Sequence, residues 1–474
     1  MTFVSFKNAR IVRSSWLEAG GRRLDCNPYM SGALEAKDRL INLNAPKSLL
    51  KDVTTKVFHA GREGRLWVDD LKYGVPFLGS SDITYADLST LPLLAKKQIK
   101  SNPLFTLGKD WILITRSGTI GRMAFVRPDM VGMACSEHVL RVVPDATKIK
   151  PGYLYAYLSS QFGVPLVVSG TYGAVIQHIE PIHIKDIPIP RFGPEFEIIV
   201  DDLVQEASFL LATYQSLINS ATKAIFDLTN IPNPDNSEWH SDRSDVGFSL
   251  PASDLEPMRA WNHSMKVSRL KQAIEAREYS LLADLVDQEW LKWRVMFKRI
   301  DAPPEFGIEV LTQRPIFQIF PSGRWINRKY LLSHSPKYVV PDKTILIAKQ
   351  GTLGEDELYC RCEFITGKEA LARAYSDHCM RIVVRSEEIE PGYLFAFLRS
   401  NTGFRLLRSL SEGSKQQDLH WKTVPGIPVP RLSSVEEKRI ALMIYEAYDA
   451  RNQAVRLYTK ATRMVEHRIG GGES

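Results

Sequence analysis

Four loops in this chain carry side chains suited to reading nucleic acid. Arg or Lys can pair with a guanine edge and Gln or Asn with an adenine edge, while hydroxyls, cations and backbone N–H groups bind phosphates. Thr115, Arg116, Ser117, Thr119 and Arg122 surround the glycine turn Ser117-Gly118-Thr119-Ile120-Gly121. Lys349, Gln350 and Thr352 surround a second turn, Gln350-Gly351-Thr352-Leu353-Gly354. A third group is Thr171, Tyr172, Gln177 and His178, and a fourth is Ser414, Lys415, Gln416, Gln417 and Asp418. Direct base or phosphate contact is expected from residues of these loops, at least one loop in each half of the chain facing DNA. The competing reading is that they are solvated turns of a β-rich domain.

Other constellations point to catalysis or metal binding less well. Glu137-His138 precedes Arg141, and Asp377-His378 precedes Arg381. Adjacent strand residues point to opposite faces, so neither acid–histidine pair is expected to form a catalytic couple, and both histidines are read as structural. Cys360, Cys362, His378 and Cys379 have no metal-knuckle spacing, and nothing equivalent stands in the first half. Asn27-Pro28-Tyr29 resembles the Asn-Pro-Pro-Tyr of DNA adenine methyltransferases but lacks one proline and a preceding apolar strand. There is no phosphate-cradling glycine loop, no cofactor-binding strand–turn–helix and no nuclease carboxylate cluster. The expectation is therefore no catalytic residue, no metal and no cofactor in this chain.

The elements that must position these loops are duplicated. Pro151-Gly152-Tyr153-Leu154-Tyr155-Ala156-Tyr157-Leu158 returns 240 residues later as Pro391-Gly392-Tyr393-Leu394-Phe395-Ala396-Phe397-Leu398. Ile187-Pro188-Ile189-Pro190-Arg191 returns at the same offset as Ile427-Pro428-Val429-Pro430-Arg431, and His138/His378 and Gln177/Gln417 keep it too. A period this long means two domains rather than a solenoid. Each half opens with a polar helix-prone stretch, Arg22 to Leu50 and Arg259 to Leu285, and continues into short β-branched runs such as Trp111–Thr115 and Thr344–Ala348.

After each proline motif the period changes to steps of three and four. Val200, Leu203, Ala207, Leu210, Tyr214, Leu217, Ala221, Ala224 and Leu228 form a heptad seam, continued 240 residues on by Ile440, Met443, Ala447, Ala450, Ala454, Leu457, Ala461 and Met464. The two helices, each about 50 Å long, are expected to pack on each other. Leu203, Leu210, Tyr214, Leu217, Met443, Ala450, Leu457 and Met464 are expected in the interface, with Arg451 and Arg456 facing outward. The expected layout is a globular part at 1–193, a long helix at 194–230 and a linker at 231–254. A second globular part follows at 255–433, then a second long helix and tail at 434–474.

Composition sets bounds on function. The 474 residues hold 61 Lys plus Arg against 54 Asp plus Glu, a net of +7 that permits a nucleic-acid partner without demanding one. No run approaches the ~20 apolar residues of a membrane span. The start of the chain does not read as a signal peptide, and five cysteines in no framework pattern fit a reducing cytoplasm.

The whole arrangement resembles the DNA-specificity subunit of type I restriction-modification systems. The carrying residues are Gly74-Val75-Pro76-Phe77-Leu78 with Ser81-Asp82-Ile83, the turns at Gly118 and Gly351, Pro-Gly-Tyr-Leu in both halves, and Ile-Pro-(Ile/Val)-Pro-Arg before each long helix. The second half has Gly307-Ile308-Glu309-Val310-Leu311 where the first has Gly-Val-Pro-Phe-Leu. Where the family often has a Glu-Gln pair after the proline motif, this chain has Glu195-Phe196-Glu197 and Glu436-Glu437. The resemblance implies an α+β protein with two tandem α/β target-recognition domains joined by two long antiparallel coiled-coil helices. It implies a non-catalytic cytoplasmic subunit, each repeat reading one half of a split double-stranded DNA site. Its partners would be two DNA methyltransferase subunits using S-adenosylmethionine and, where cleavage occurs, an ATP-dependent restriction subunit. A self-contained DNA-modification enzyme and a protein scaffold without a DNA role are the alternatives.

Overall fold

Short β-branched runs and proline-bounded turns produce a lobe of small sheets in each half, and each lobe packs on parts of two long helices. The computed structural model describes residues 12–19, 29, 31–169, 178–243, 245, 247, 249 and 259–471. Two compact units result: Met1–Thr84, Leu91–Ala212 and Gln453–Ser474 form one, Tyr85–Thr90 and Thr213–Asn452 the other. The fold class is α+β, and each unit holds one half of each long helix.

In the first unit a four-stranded sheet runs Thr54–Phe58, Val139–Pro144, Ile112–Thr115, Met123–Phe125. A second runs Trp67–Val68, Leu93–Ala95, Gly74–Leu78, Ala134–Cys135, with Gly74–Leu78 parallel to Ala134–Cys135. The second unit repeats the pattern. Cys362–Ile365, Thr344–Ala348 and Cys379–Ile382 form one sheet; Arg324–Asn327, Gly307–Leu311 and Ala374–Tyr375 form another, with Gly307–Leu311 parallel to Ala374–Tyr375. Gly307–Leu311 is thus the counterpart of Gly74–Leu78, although the two share little sequence. Thr344–Ala348 and Ile112–Thr115 are buried throughout, as central strands with continuous apolar runs should be.

The repeated motifs build the joint between lobe and helix. Pro151–Leu158 and Pro391–Leu398 are fully buried helices. Their glycines lie where a side chain has no room. A Cβ on Gly152 would come within 2.8 Å of Val204 Cβ, and one on Gly392 within 2.8 Å of the Ala441 carbonyl, both on the long helix that follows. Each proline motif is a strand, Pro188–Pro190 against Lys47–Leu49 and Pro428–Pro430 against Tyr279–Leu281. The motif arginine then holds the start of its helix: Arg191 pairs two-pronged with Glu197, and Arg431 with Glu437. In each acidic segment that departs from the family's pattern, one residue, Glu197 or Glu437, is therefore the partner of the motif arginine. The helix-prone openings are only partly helical. Ala33–Ile41 and Met265–Glu275 are helices, whereas Lys47–Leu49 and Tyr279–Leu281 are strands because they pair with the proline motifs. Asn27 and Pro28 lie outside the described residues.

The long helices span Pro194–Thr229 and Ser434–Gly470. In the first unit they run antiparallel, with Phe196 near Arg468 and Gln453 Nε2 donating to Glu206. In the second, Tyr214 meets Tyr448 edge-on at 5.4 Å between ring centroids. One row of the expected seam is buried as read: Val200, Ala207, Tyr214 and Ala221, then Ile440, Ala447, Ala454 and Ala461. The alternate row is shifted by one residue. Val204, Leu211, Ile218 and Ile225 are buried, while Leu203, Leu210 and Leu217 lie half-exposed beside them. In the second helix Ile444, Tyr458 and Val465 are buried where Met443, Leu457 and Met464 are half-exposed; Ala450 is buried.

Arg451 also departs from the expectation, while Arg456 is exposed. Arg451 is buried, bonded to Glu363 and to the Gln318 carbonyl, and Tyr448 donates to the same carboxylate at 2.7 Å. Burial alone would lower the affinity of Arg451 for its proton; the Glu363 charge reverses this and holds the guanidinium protonated. A second, half-buried cluster in this unit ties Tyr85–Thr90 down. Asp87 pairs with Arg399 at 2.8 Å, and Leu88 N–H donates to Gln215 at 2.7 Å. Burial would raise the Asp87 carboxyl, but the Arg399 charge and the Ser89 hydroxyl hold it well below the usual carboxylate range. No helix among the described residues is long and apolar enough to cross a membrane.

Candidate nucleic-acid interface

The first glycine turn is held from both sides by backbone. Arg116 N–H donates to the His138 carbonyl at 2.9 Å, and Ile179 N–H donates to the Arg116 carbonyl at 3.1 Å. Thr115 locks the loop base: Gly121 N–H reaches its carbonyl and Arg122 N–H its hydroxyl, both at 3.0 Å. Gly118 and Gly121 sit at φ of 75° and 81°, the left-handed region that favours glycine. The second glycine turn is held the same way. Lys349 N–H donates to the His378 carbonyl at 3.1 Å, and Leu419 N–H donates to the Lys349 carbonyl at 2.8 Å. Behind both turns stands a buried arginine held by backbone carbonyls, with no carboxylate paired to it among the described residues. Arg141 donates to the carbonyls of Cys135, Ser136 and Val139, and Arg381 to those of Tyr375, Ser376 and Cys379. Burial holds both guanidinium groups below their ordinary value, Arg381 at about 10. The offset of 240 residues between them was the sequence signal for this staple, and its structural role was missed.

On this common backbone the side chains differ. In the first unit the Ser117 hydroxyl lies 2.8 Å from Nδ1 of His178 and 3.1 Å from Nδ1 of His138. Glu137 Oε1 lies 3.4 Å from Nε2 of His138, and its other oxygen accepts from Arg65 at 3.0 Å. The acid–histidine contact exists because Glu137 and His138 form a turn, not the strand that would have separated them. Arg116 points inward: its guanidinium donates to the Ile179 carbonyl and pairs with Glu180, which also meets His59 at 3.2 Å. In the second unit Gln350 takes the place of Ser117 and bonds His378 directly. Gln350 is also held by Gln313, whose side chain donates to its carbonyl at 2.6 Å. Lys349 is buried; Gln417 is buried too, held by Arg259 at 3.0 Å.

The candidate residues therefore separate into two groups. Arg116, Ser117, Lys349 and Gln417 are buried parts of the frame. Thr119, Arg122, Thr352, Lys415 and Gln416 are exposed, and His178 and Gln350 are half-buried at the lip. Tyr172 and Gln177 lie outside the described residues. The sequence did not single out His59, Arg65, Glu180, Gln313 or Arg259, because they come from distant segments with no motif around them.

Electrostatically the two sites differ as well. Burial keeps the His138 imidazole below its ordinary value; Glu137 opposes this, and the charges of Arg65 and Arg116 add to it. His59 is lowered by burial and by Arg116. Such imidazoles remain neutral and can both donate and accept. In the second unit burial lowers the Lys349 ammonium, with Asp418 and Asp377 opposing. Glu137, His138 and Ser117 stand in the order of a nucleophilic relay, but the hydroxyl is nearly buried and the repeat has Gln350 in its place. Among the described residues no group of three or more His, Cys, Asp or Glu is placed to hold a metal ion; Cys360 and Cys379 are buried free thiols.

No family model matches this chain, and no curated protein matches it either. Solved structures similar to it include the S subunit of a type I restriction-modification system from M. genitalium, at 14% identity and a TM-score of 0.35, covering 90% of this chain and 96% of that one. The HsdS subunit from Thermoanaerobacter tengcongensis is similar at 12% identity and a TM-score of 0.29, covering 91% and 98%. A chain from work on complex assembly and conformational transition of the type I R-M system is similar at 13% identity and a TM-score of 0.27, covering 90% and 99%. Along about nine-tenths of its length, the chain is similar to S subunits of type I restriction-modification systems.

Proposed function

We propose that this chain is a non-catalytic, sequence-specific DNA-recognition subunit of a type I restriction-modification or related phage-defence methylation complex. Each repeat would read one half of a bipartite double-stranded site. The observation that carries the reading is the repeated frame with exchanged side chains. The same backbone bonds fix both glycine turns and a histidine is kept in each, His138 and His378, while Ser117, His178 and Arg122 of one repeat are replaced by Gln350, Asp418 and Glu355 in the other. A fixed frame with variable donors and acceptors suits base reading, which needs positioned groups of differing hydrogen-bond character. A catalytic centre would instead need its reacting groups kept. The two long helices would act as spacer and as dock for two methyltransferase subunits that use S-adenosylmethionine. Cleavage, where present, would come from an ATP-dependent restriction subunit.

Duplex binding by the pure chain tests this against the scaffold reading, and methyl transfer tests it against the enzyme reading. The expected result is duplex binding that weakens linearly in log–log form with salt, as counterion release requires. No methyl should be transferred from labelled S-adenosylmethionine until a methyltransferase subunit is added. Salt-independent or absent duplex binding points to the scaffold, and methyl incorporation by the chain alone points to the enzyme.

A further inference from the structure

Each repeat carries an exposed apolar tip beside its glycine-turn site. In the first, Leu66, Trp67, Leu71 and Tyr73 lie on and around the loop between Trp67–Val68 and Gly74–Leu78, two strands that both pair with Leu93–Ala95, with Trp67 46% and Tyr73 57% exposed. In the second, Met296, Ile300 and Phe306 precede Gly307–Leu311, with Met296 78% and Phe306 70% exposed. The two tips share one frame. Lys96 N–H donates to the Tyr73 carbonyl as Arg328 N–H does to the Phe306 carbonyl; Ala95 N–H donates to Leu66 as Asn327 N–H does to Ile300. Each tip also touches its site: Arg65 bonds Glu137, and Arg294 lies 3.8 Å from Asp418. A lone exposed apolar residue means little, but the same cluster kept beside the site in both repeats calls for a partner.

The charge around the tips identifies that partner. Across 62–73 and 96–100 cations outnumber acids six to three, and across 294–306 and 324–329 six to two. Cationic surroundings fit a polyanion, and an aromatic or aliphatic tip among cations fits a stacked base step rather than a membrane or an acidic peptide. The Trp67 ring is anchored from behind, meeting Phe77 edge-on at 5.2 Å between centroids. An anchored ring can press between base pairs without folding back. We propose that these tips are wedges that unstack duplex DNA beside the bases each site reads, the Trp67–Tyr73 tip at one half-site and the Met296–Phe306 tip at the other. The inference rests on the DNA-recognition reading and adds a deformation of the duplex to it, a known use of apolar side chains at base steps.

The test uses the full chain, a duplex selected for binding and 2-aminopurine walked through the steps around each half-site. Unstacking raises its fluorescence. The wild-type chain should raise it at one step near each half-site. Trp67→Ala with Tyr73→Ala should abolish the rise at one half-site only and weaken binding roughly tenfold, and Met296→Ala with Phe306→Ala should do the same at the other. These side chains are exposed, so the variants should melt within a few degrees of wild type; a variant that melts lower is replaced by the single Tyr73→Ser or Phe306→Ser change and read the same way. Tight, selective binding with no fluorescence rise, or a rise that survives the changes, overturns the wedge and leaves DNA recognition standing. Loss of methyltransferase binding with unchanged DNA affinity overturns it too, assigning the tips to the protein partner. Failure of the wild-type chain to bind any duplex overturns the recognition reading as well.

Discussion

Replacing Arg451 by methionine is expected to lower the unfolding free energy by about 3–5 kcal/mol, the cost of leaving a buried charge without its partner. The change strands Glu363 beside Tyr448 and removes the donor to the Gln318 carbonyl. Glu363 is buried, so water does not take over the lost bonds. Pairing the change with Glu363→Gln removes the stranded charge and should recover a large part of the loss. Urea unfolding, read at unchanged slope, measures both. A loss under about 1 kcal/mol for the single variant would mean the pair is solvated and does not bind the second lobe to the helix.

Ile218→Asp is expected to cost about 3–5 kcal/mol as well, whereas Leu217→Asp should cost clearly less. Ile218 is fully buried and Leu217 is half-exposed one residue away, where a carboxylate can reach water. Equal losses, or a larger loss at Leu217, would restore the seam read from the sequence. Unfolding by denaturant with helical signal as readout distinguishes these outcomes.

That seam shows how far the sequence could be read. The duplication, both long helices and the row Ala207, Tyr214, Ala221 were legible because apolar residues recur there without an apolar neighbour. The alternate row was not. Leu210-Leu211, Leu217-Ile218, Leu457-Tyr458 and Met464-Val465 are apolar doublets, and steps of three-then-four or four-then-three fit them equally. Only packing chooses between them. The site divides similarly. The loops stood out by their residue types, but type does not tell direction. Arg116 turns inward because Glu180 and the Ile179 carbonyl lie behind it, and Lys349 and Gln417 are buried by strands that pair across the second turn. The capture of Tyr85–Thr90 by the second unit was invisible, since Asp87 and Arg399 belong to different repeats and neither lies in a motif.

The central claim is that one frame presents two different sets of reading groups to two half-sites. Selecting bound duplexes from a random pool, with the methyltransferase subunit present, tests it most directly. The chain should enrich a bipartite motif with a fixed gap. Exchanging the exposed first-turn arginine for its counterpart in the second turn, Arg122→Glu, should change the preferred bases in one half of the motif and leave the other half and the gap as they were. A single contiguous motif, or a change spread equally over both halves, would contradict the account.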